Sequence, residues 1–312
     1  MVDRVSTAGA YSAILQNLLL AENQQTNAEN RVSSTKNGND LKAFATQAET
    51  LTAMKSVNTR LVSYQAQNSQ VAAKLSTQDQ ALTDLSNTAT DVRTAIANAL
   101  ASGSGETLMQ EMQDSFSAAS SDLNTQYDGK YLFSGGQINT KSFNAAQLTD
   151  LTSGPALSTF FGNDNFQTQA KLDDNTTVTT GQLASNLATP MMQAFQAIQA
   201  FNDGPGGPLS GQLTQAQQDF LTTQIQTWTQ VGTGLTTSTA QNGLTQARVS
   251  DVQASLTTQQ NSLTAMIGNI TDADMAKAAT DLSNAQLSVQ ASARVLQALQ
   301  SDSLINLLPA TG

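Results

Sequence analysis

Cysteine and histidine are both absent from the chain. Thiolate nucleophiles, disulfides, imidazole bases and every zinc site built on Cys or His ligands are therefore excluded. Asp and Glu total 24, but acid–base chemistry would have to run without the side chain whose ordinary pKa lies nearest neutrality. Lys and Arg number only 14, which leaves a formal net charge of -10 and a pI near 4.3. Gripping a phosphate backbone or an anionic bilayer takes clustered basic residues, so neither a nucleic-acid nor a membrane partner is expected. Aromatics are only 5% of the 312 residues, and small or polar types dominate. Thin helical packing suits that composition better than a thick aromatic core. The apolar stretch AILQNLLLA at 13–21 is too short to span a bilayer. No small-residue cleavage site follows a basic region and a long apolar core, so no Sec-type signal peptide is expected.

Three carboxylate clusters remain as candidates for chemistry: NGND at 37–40, LDDN at 172–175 and TDAD at 271–274. None has the alternating acids, glycine and distal Glu of a calcium loop, and turn and cap roles account for all three. A glycosidase-like acid pair built on Asp173 and Asp174 would sit in a segment too short to form its own cleft. No G-x-x-x-x-G-K-[ST] loop occurs. The expected protein is not an enzyme and carries no cofactor or metal.

Packing is where the pattern is informative. From Leu61, steps of three and four reach Tyr64, Asn68, Val71, Leu75, Gln78, Leu82, Leu85, Ala89, Val92, Ile96 and Ala99, and ten of the twelve positions are apolar. This heptad spacing predicts a helix from about Leu41 to Leu100 with one narrow buried seam, which needs a partner along its length. Glycines at 103 and 105 break it, and Leu108, Met112, Phe116, Leu123 and Tyr127 predict a shorter helix returning antiparallel, ended by Asp128-Gly129. The far half of the chain offers a matching seam in Val249, Val252, Leu256, Gln259, Leu263, Met266 and Ile270. Thr271 with Asp274 fits a capping box that starts a last helix, with Met275, Ala278, Leu282, Ala285, Val289, Leu296 and Leu299 on one face.

Between the halves the periodicity fades. QTQAKLDDNTTVTTG alternates around an Asp-Asn turn as a hairpin does, and FNDGPGGPLSG at 201–211 is a loop. The expected fold is mainly α: a long coiled-coil or helical bundle formed by the N- and C-terminal halves, with a small β-containing inserted domain. The expected divisions are an N-terminal helix at 1–40, an inner rod at 41–140, a β-rich insert at 141–187, a second rod half at 188–270 and a C-terminal helix at 271–312. Trp228 is expected in the bundle core.

Two surfaces stand out as sites of assembly. Tyr131, Leu132, Phe133, Ser134, Gly135 and Gly136 form a corner from rod to insert, where the glycines turn the chain and the aromatics lock the turn. At the ends, Leu15, Leu18, Leu19, Leu282, Val289, Leu296, Leu299, Leu304 and Leu307 lack an obvious partner within one bundle. Two readings are open. Either the termini pair and leave an outer apolar strip for neighbouring subunits, as heterologous contacts that build tubes do, or they pack on the main bundle of their own chain.

The segment LNTQYDGKYLFSGGQINTKSF at 123–143 resembles the stretch by which hook-associated junction proteins of the flagellin superfamily are recognised. ITDADMAKAATDLSNAQLSVQASARVLQALQSDSLINLL at 270–308 is similar to that family's closing helix. AENRVSSTKNGND at 28–40 is similar to its arginine, apolar, Ser-Ser block, with Thr35 and Lys36 where a glycine is expected. The resemblance implies paired terminal helices, export by the flagellar type III apparatus and an extracellular place on the flagellum. Its implied partners are further copies in a ring or tube, an adjacent hook-associated protein, flagellin and an export chaperone. Flagellin itself, the bulk filament subunit, is the alternative the same residues allow.

Overall fold

This computed structural model describes residues 2–38 and 40–305. The fold is mainly α. Among the described residues the helices are α1 Val2–Ser34, α2 Ala48–Ser102, α3 Leu108–Leu123, α4 Asp150–Ser153, α5 Ala184–Asp203, α6 Gln215–Thr271 and α7 Met275–Ile305. Two antiparallel hairpins complete it: β1 Gln126–Tyr127 with β2 Lys130–Tyr131, and β3 Gln169–Lys171 with β4 Thr177–Thr179. The chain divides into two compact units, residues 1–61 with 259–312 and residues 62–258.

In the first unit α1 packs against α7. Ala21 and Ala28 of α1 and Ala278 and Ala285 of α7 are buried, and side chains this small let two helix backbones approach closely. Arg31 of α1 pairs with Asp281 of α7 at 3.3 Å, and Lys277 reaches the same carboxylate at 3.3 Å. The turn of 3-10 helix at Leu41–Phe44 is capped by Asp40, whose Oδ1 accepts from Ala43 N at 3.2 Å. The long helix follows this separate turn and starts at Ala48, not near Leu41.

In the second unit the predicted α2 seam is buried: Leu75, Leu82, Leu85, Ala89, Val92 and Ile96 are all closed to solvent. Its two polar members have tertiary roles. Gln78 Nε2 donates to Asn242 Oδ1 of α6 at 3.1 Å, while Asn242 Nδ2 donates to Leu75 O at 2.9 Å and to Asp79 Oδ1 at 3.1 Å. Asn68 Nδ2 donates to Leu172 O at 3.0 Å, next to β3. Polar groups buried this way favour one register of helix against helix, because a slip would leave them unpaired.

The scarce aromatics form a connected row through this core. Trp228 of α6 meets Phe195 of α5 at 4.6 Å, Phe195 meets Phe116 of α3 at 5.7 Å, Phe116 meets Phe143 at 6.1 Å, and Phe143 meets Phe161 at 5.2 Å. Most of these contacts are edge-on, the arrangement ring quadrupoles prefer. The row draws the segment after residue 141 into the helical core, where Phe143, Leu148 and Leu151 are buried with α3 and α5. The β3–β4 hairpin lies over the helices, with Ala170 and Leu172 packed on Leu75 and Val249. A segment of this size buries too little apolar surface to hold a core of its own.

Local structure departs from expectation at three further points. The returning helix ends at Leu123 instead of running to Tyr127, because Asn124 Nδ2 donates to Ser120 O and to Phe143 O, at 2.9 and 2.8 Å. Asp128 and Gly129 then take φ of 52° and 70°, the pair of left-handed residues that a two-residue hairpin turn requires. On α6, Gln259 and Met266 face outward, Met266 being 50% exposed, and Gln260 and Ile267 take the covered side. Leu256, Leu263 and Ile270 keep their seven-residue spacing on the covered side, so only the position between them in each heptad moves by one residue. Finally, α6 continues through Thr271 and Asp274 caps α7 alone, accepting from Ala276 N and Lys277 N at 3.0 and 3.1 Å.

Asp122, half-buried in the last turn of α3, has burial and then the nearby charge of Asp84 pushing its pKa up to about 6 from an ordinary 3.8. A carboxyl whose folded pKa is raised binds its proton more tightly in the native state, so its contribution is fullest below pH 4 and is lost as pH rises through about 6. Asp122→Asn should therefore stabilise the protein at pH 7.5 by on the order of 1 kcal/mol, after discounting for solvent screening, and by almost nothing at pH 4. Urea unfolding at both pH values checks this; an equal effect at each would reject it.

Candidate functional site

The corner at 131–136 is built from backbone pairings that tie it to three places. Tyr131 N donates to Ile138 O at 2.9 Å, Leu132 N to Thr125 O at 3.0 Å, and Ala184 N, opening α5, to Phe133 O at 2.9 Å. Phe133 and Ser134 are fully buried, Leu132 nearly so, and Tyr131 is half-buried. Gly135 has φ of 69°, and a Cβ there would lie 2.3 Å from Asp164 Oδ1. Gly136 needs no left-handed angle, but a Cβ on it would lie 2.7 Å from Asp164 Oδ2.

Asp164 is the residue that sequence reasoning missed. Its Oδ1 accepts from Gly136 N and Phe166 N, each at 2.9 Å, and these bonds hold its carboxyl below the usual range. Neighbouring Asn163 accepts from Ser185 N and donates to Ser185 Oγ, both at 3.0 Å. The signal was the GNDN run at 162–165: short amide and carboxylate side chains in a loop bond to nearby backbone. The three carboxylate clusters have similar roles. Asp173 Oδ1 accepts from Asn175 N and Thr176 N at 2.8 and 2.6 Å, at the tip of the β3–β4 hairpin. Tyr64 donates to Asp174 at 2.8 Å.

At the chain ends the expected interface set divides in two. Leu15 and Leu19 lie on the exposed side of α1, together with Tyr11 and Leu20, and Leu19 and Leu20 are 51% and 59% exposed. Leu18, Leu282, Val289, Leu296 and Leu299 are half-buried at the spacing of the buried alanines, on the faces by which α1 and α7 cover each other. The seam positions of a two-helix pair are used by the partner helix, so the outward strip falls on their flanks. On α7 the exposed members are Met275 at 41%, Leu287 at 61% and Val295 at 50%; Met275 was expected on the covered face, and the other two were not expected. Leu307 and the side chain of Leu304 lie outside the described residues.

A clip joins the end of α1 to the α6–α7 junction. Lys36 pairs with Asp272 in an isolated antiparallel bridge, Asn37 N donates to Thr271 O at 2.8 Å, and Ala273 N donates to Thr35 O at 2.9 Å. The Lys36 ammonium bonds the Asp272 carboxylate and holds its pKa below the ordinary value. Thr35 itself has φ of 56°. A β-branched residue is strained there, where helices usually end on glycine.

Two family models match the chain: the bacterial flagellin N-terminal helical region over residues 5–138, and the bacterial flagellin C-terminal helical region over residues 214–308. Together they cover well over half of it. The chain belongs to the flagellin superfamily. It is thus a structural component of the bacterial flagellum, from a family whose members self-assemble into flagellar polymers and are structural, not catalytic. No curated protein matches the chain by sequence. Among solved structures, a protein described as a flagellar hook-associated protein from Vibrio parahaemolyticus aligns with a TM-score of 0.59 and 13% identity, over 72% of this chain and 97% of that one. Bacillus cereus FlgL aligns with a TM-score of 0.55 and 15% identity, over 69% of this chain and 99% of the other. Likeness at that identity speaks for the fold.

The strain at Thr35 gives a direct test of the clip. Left-handed φ costs an L-residue about 1–2 kcal/mol, and glycine returns part of that gain as lost chain entropy. Thr35→Gly is expected to stabilise the α1–α7 pair by about 0.5–1 kcal/mol, seen as a higher melting temperature and slower proteolysis after residue 34. A destabilised variant would show that the hydroxyl matters more than the backbone angle.

Proposed function

We propose that this chain is the hook–filament junction subunit of the flagellum, exported by the flagellar type III apparatus. It self-associates there into a ring or tube and contacts a hook-associated protein on one side and flagellin on the other. The observation that carries the assembly part is the set of large apolar side chains on α1 and α7, Leu15, Leu19, Leu20, Leu287 and Val295, left uncovered within the monomer. Clustered exposed side chains of this size mark an interaction surface. The junction part is supported by the Tyr131–Gly136 corner with its trailing Thr140 and Phe143, and by two solved neighbours, one named as a flagellar hook-associated protein and the other as FlgL, that fit almost whole within this chain. Export before folding implies a chaperone that shields the terminal helices.

Flagellin remains a second reading, because the matching family models are those of the flagellin termini. Position on the organelle separates the two. Immunogold labelling should mark a short band where hook meets filament, and deletion of the gene should leave hooks intact while flagellin is lost to the medium. Label along the whole filament would assign the chain as flagellin, and normal filaments in the deletion strain would refute the junction role.

The strip has its own test. Leu19→Asp with Leu20→Asp should leave the monomer's helical signal and melting temperature nearly unchanged, since both side chains are exposed, yet reduce incorporation into flagella at least tenfold. Leu296→Asp with Leu299→Asp should lower the helical signal as well, because those residues sit on the covered side of α7. Normal incorporation of the first pair would sink the strip.

A further inference from the structure

Within the unit 62–258, a cleft of about 430 Å³ opens between the two hairpins. Its floor is the Val71 and Lys74 stretch of α2, one wall carries Tyr127, Lys130 and Tyr131, and the other wall is the β3 side at Thr168. Lys74 is half-buried and Lys130 is exposed, and among the described residues the Lys74 ammonium bonds Thr168 Oγ1 at 3.2 Å. Neither Lys74 nor Lys130 is in an ion pair among the described residues. Burial, and then the charge of Lys130, lower the Lys74 pKa. Asp128 also borders the cleft, at the hairpin turn, but lies beyond ion-pair distance of both lysines. Two cations therefore border one cleft without an ion-paired carboxylate among the described residues, and the half-buried Lys74 carries the desolvation cost, since Lys130 is exposed.

The rest of the chain is acidic, with 24 carboxylate side chains against 14 basic ones. We propose that the cleft between the two hairpins is a docking site for a carboxylate presented by a second copy of this chain. The inference rests on the self-association argued above. The charge balance selects this occupant: copies with net charge -10 repel one another at long range, and a cationic cleft on one copy facing a carboxylate on the next turns that repulsion into a directional, head-to-tail contact. The aromatic wall and the Val71 floor exclude water around the pair, and donors left over on Lys74 and Lys130 complete the carboxylate's hydrogen bonds.

Lys74→Met and Lys130→Gln in the full-length protein test this. Relief of the uncompensated cation should leave the melting temperature of the Lys74→Met monomer equal to or above that of the parent. Each variant should need about tenfold more protein to self-associate in low salt, by sedimentation, and its assembly should respond less to added sodium chloride than the parent's. Parent and variants assembling alike, with the same salt response, would overturn the docking site and leave self-association standing. A lower melting temperature for Lys74→Met with unaltered assembly of Lys130→Gln would make the pair structural and likewise overturn it. Inorganic phosphate that raised the parent's melting temperature, with assembly unaffected by either substitution, would assign the cleft to a soluble anion. A parent that never self-associates would refute the underlying reading as well.

Discussion

A helix whose apolar residues form a stripe about one side chain wide does not persist alone in water, and the long helices of this chain carry such stripes. Each stripe is covered by a helix from the opposite end of the chain. α1 meets α7 through buried alanines, and α2 meets α6 along leucines, valines and a polar layer. Because the stripes are narrow and chemically repetitive, hydrophobic burial alone would tolerate a slip by one heptad. Register must come from elsewhere. Gln78 with Asn242, Asn68 with Leu172 O, and Arg31 with Asp281 are the contacts that distinguish the observed register from its neighbours.

The same contacts show which parts of the fold were legible in the sequence. Periodicity marks buried seams well, since every seam position from Leu61 to Ala99 is covered or half-covered. It marks them less well on α6, where Leu256, Leu263 and Ile270 are covered as expected but Gln260 and Ile267 replace Gln259 and Met266 between them, an order of steps that periodicity leaves open. Boundaries were misread where a side chain bonded backbone far away in sequence. Asn124 ends α3 by holding the backbone at Phe143, and Asp164 fixes the glycine corner from 28 residues downstream. No local pattern contains such a pairing. The aromatic row is similar: composition correctly predicts few aromatics, but only folding shows that they line up and draw the segment after residue 141 into the helical core.

At the chain ends, hydrophobicity identified the right helices but could not divide their faces. Leu18 and Leu19 are adjacent leucines, yet one is half-buried and the other is 51% exposed. The division depends on the rotational position of α1 against α7, which the close-packed alanines set. Those alanines carry a weaker hydrophobic signal than the leucines beside them.

Several local choices make the monomer less stable than this fold permits. Thr35 holds an angle suited to glycine, Asp122 and Asp84 oppose each other, leucines are left in water on α1 and α7, and Lys74 lacks a counter-charge. Breaches of local rules tend to collect where a protein does its work. The first two are backbone strain and charge repulsion within the chain, relieved by a substitution. The last two differ in kind from them, because a neighbouring molecule relieves both. They also differ from each other in what relief supplies: covering leucines gives affinity that is indifferent to direction, whereas a half-buried cation accepts only an anion in one place. In the proposed assembly the apolar strip therefore accounts for why copies adhere, and the cationic cleft for why they adhere in one orientation.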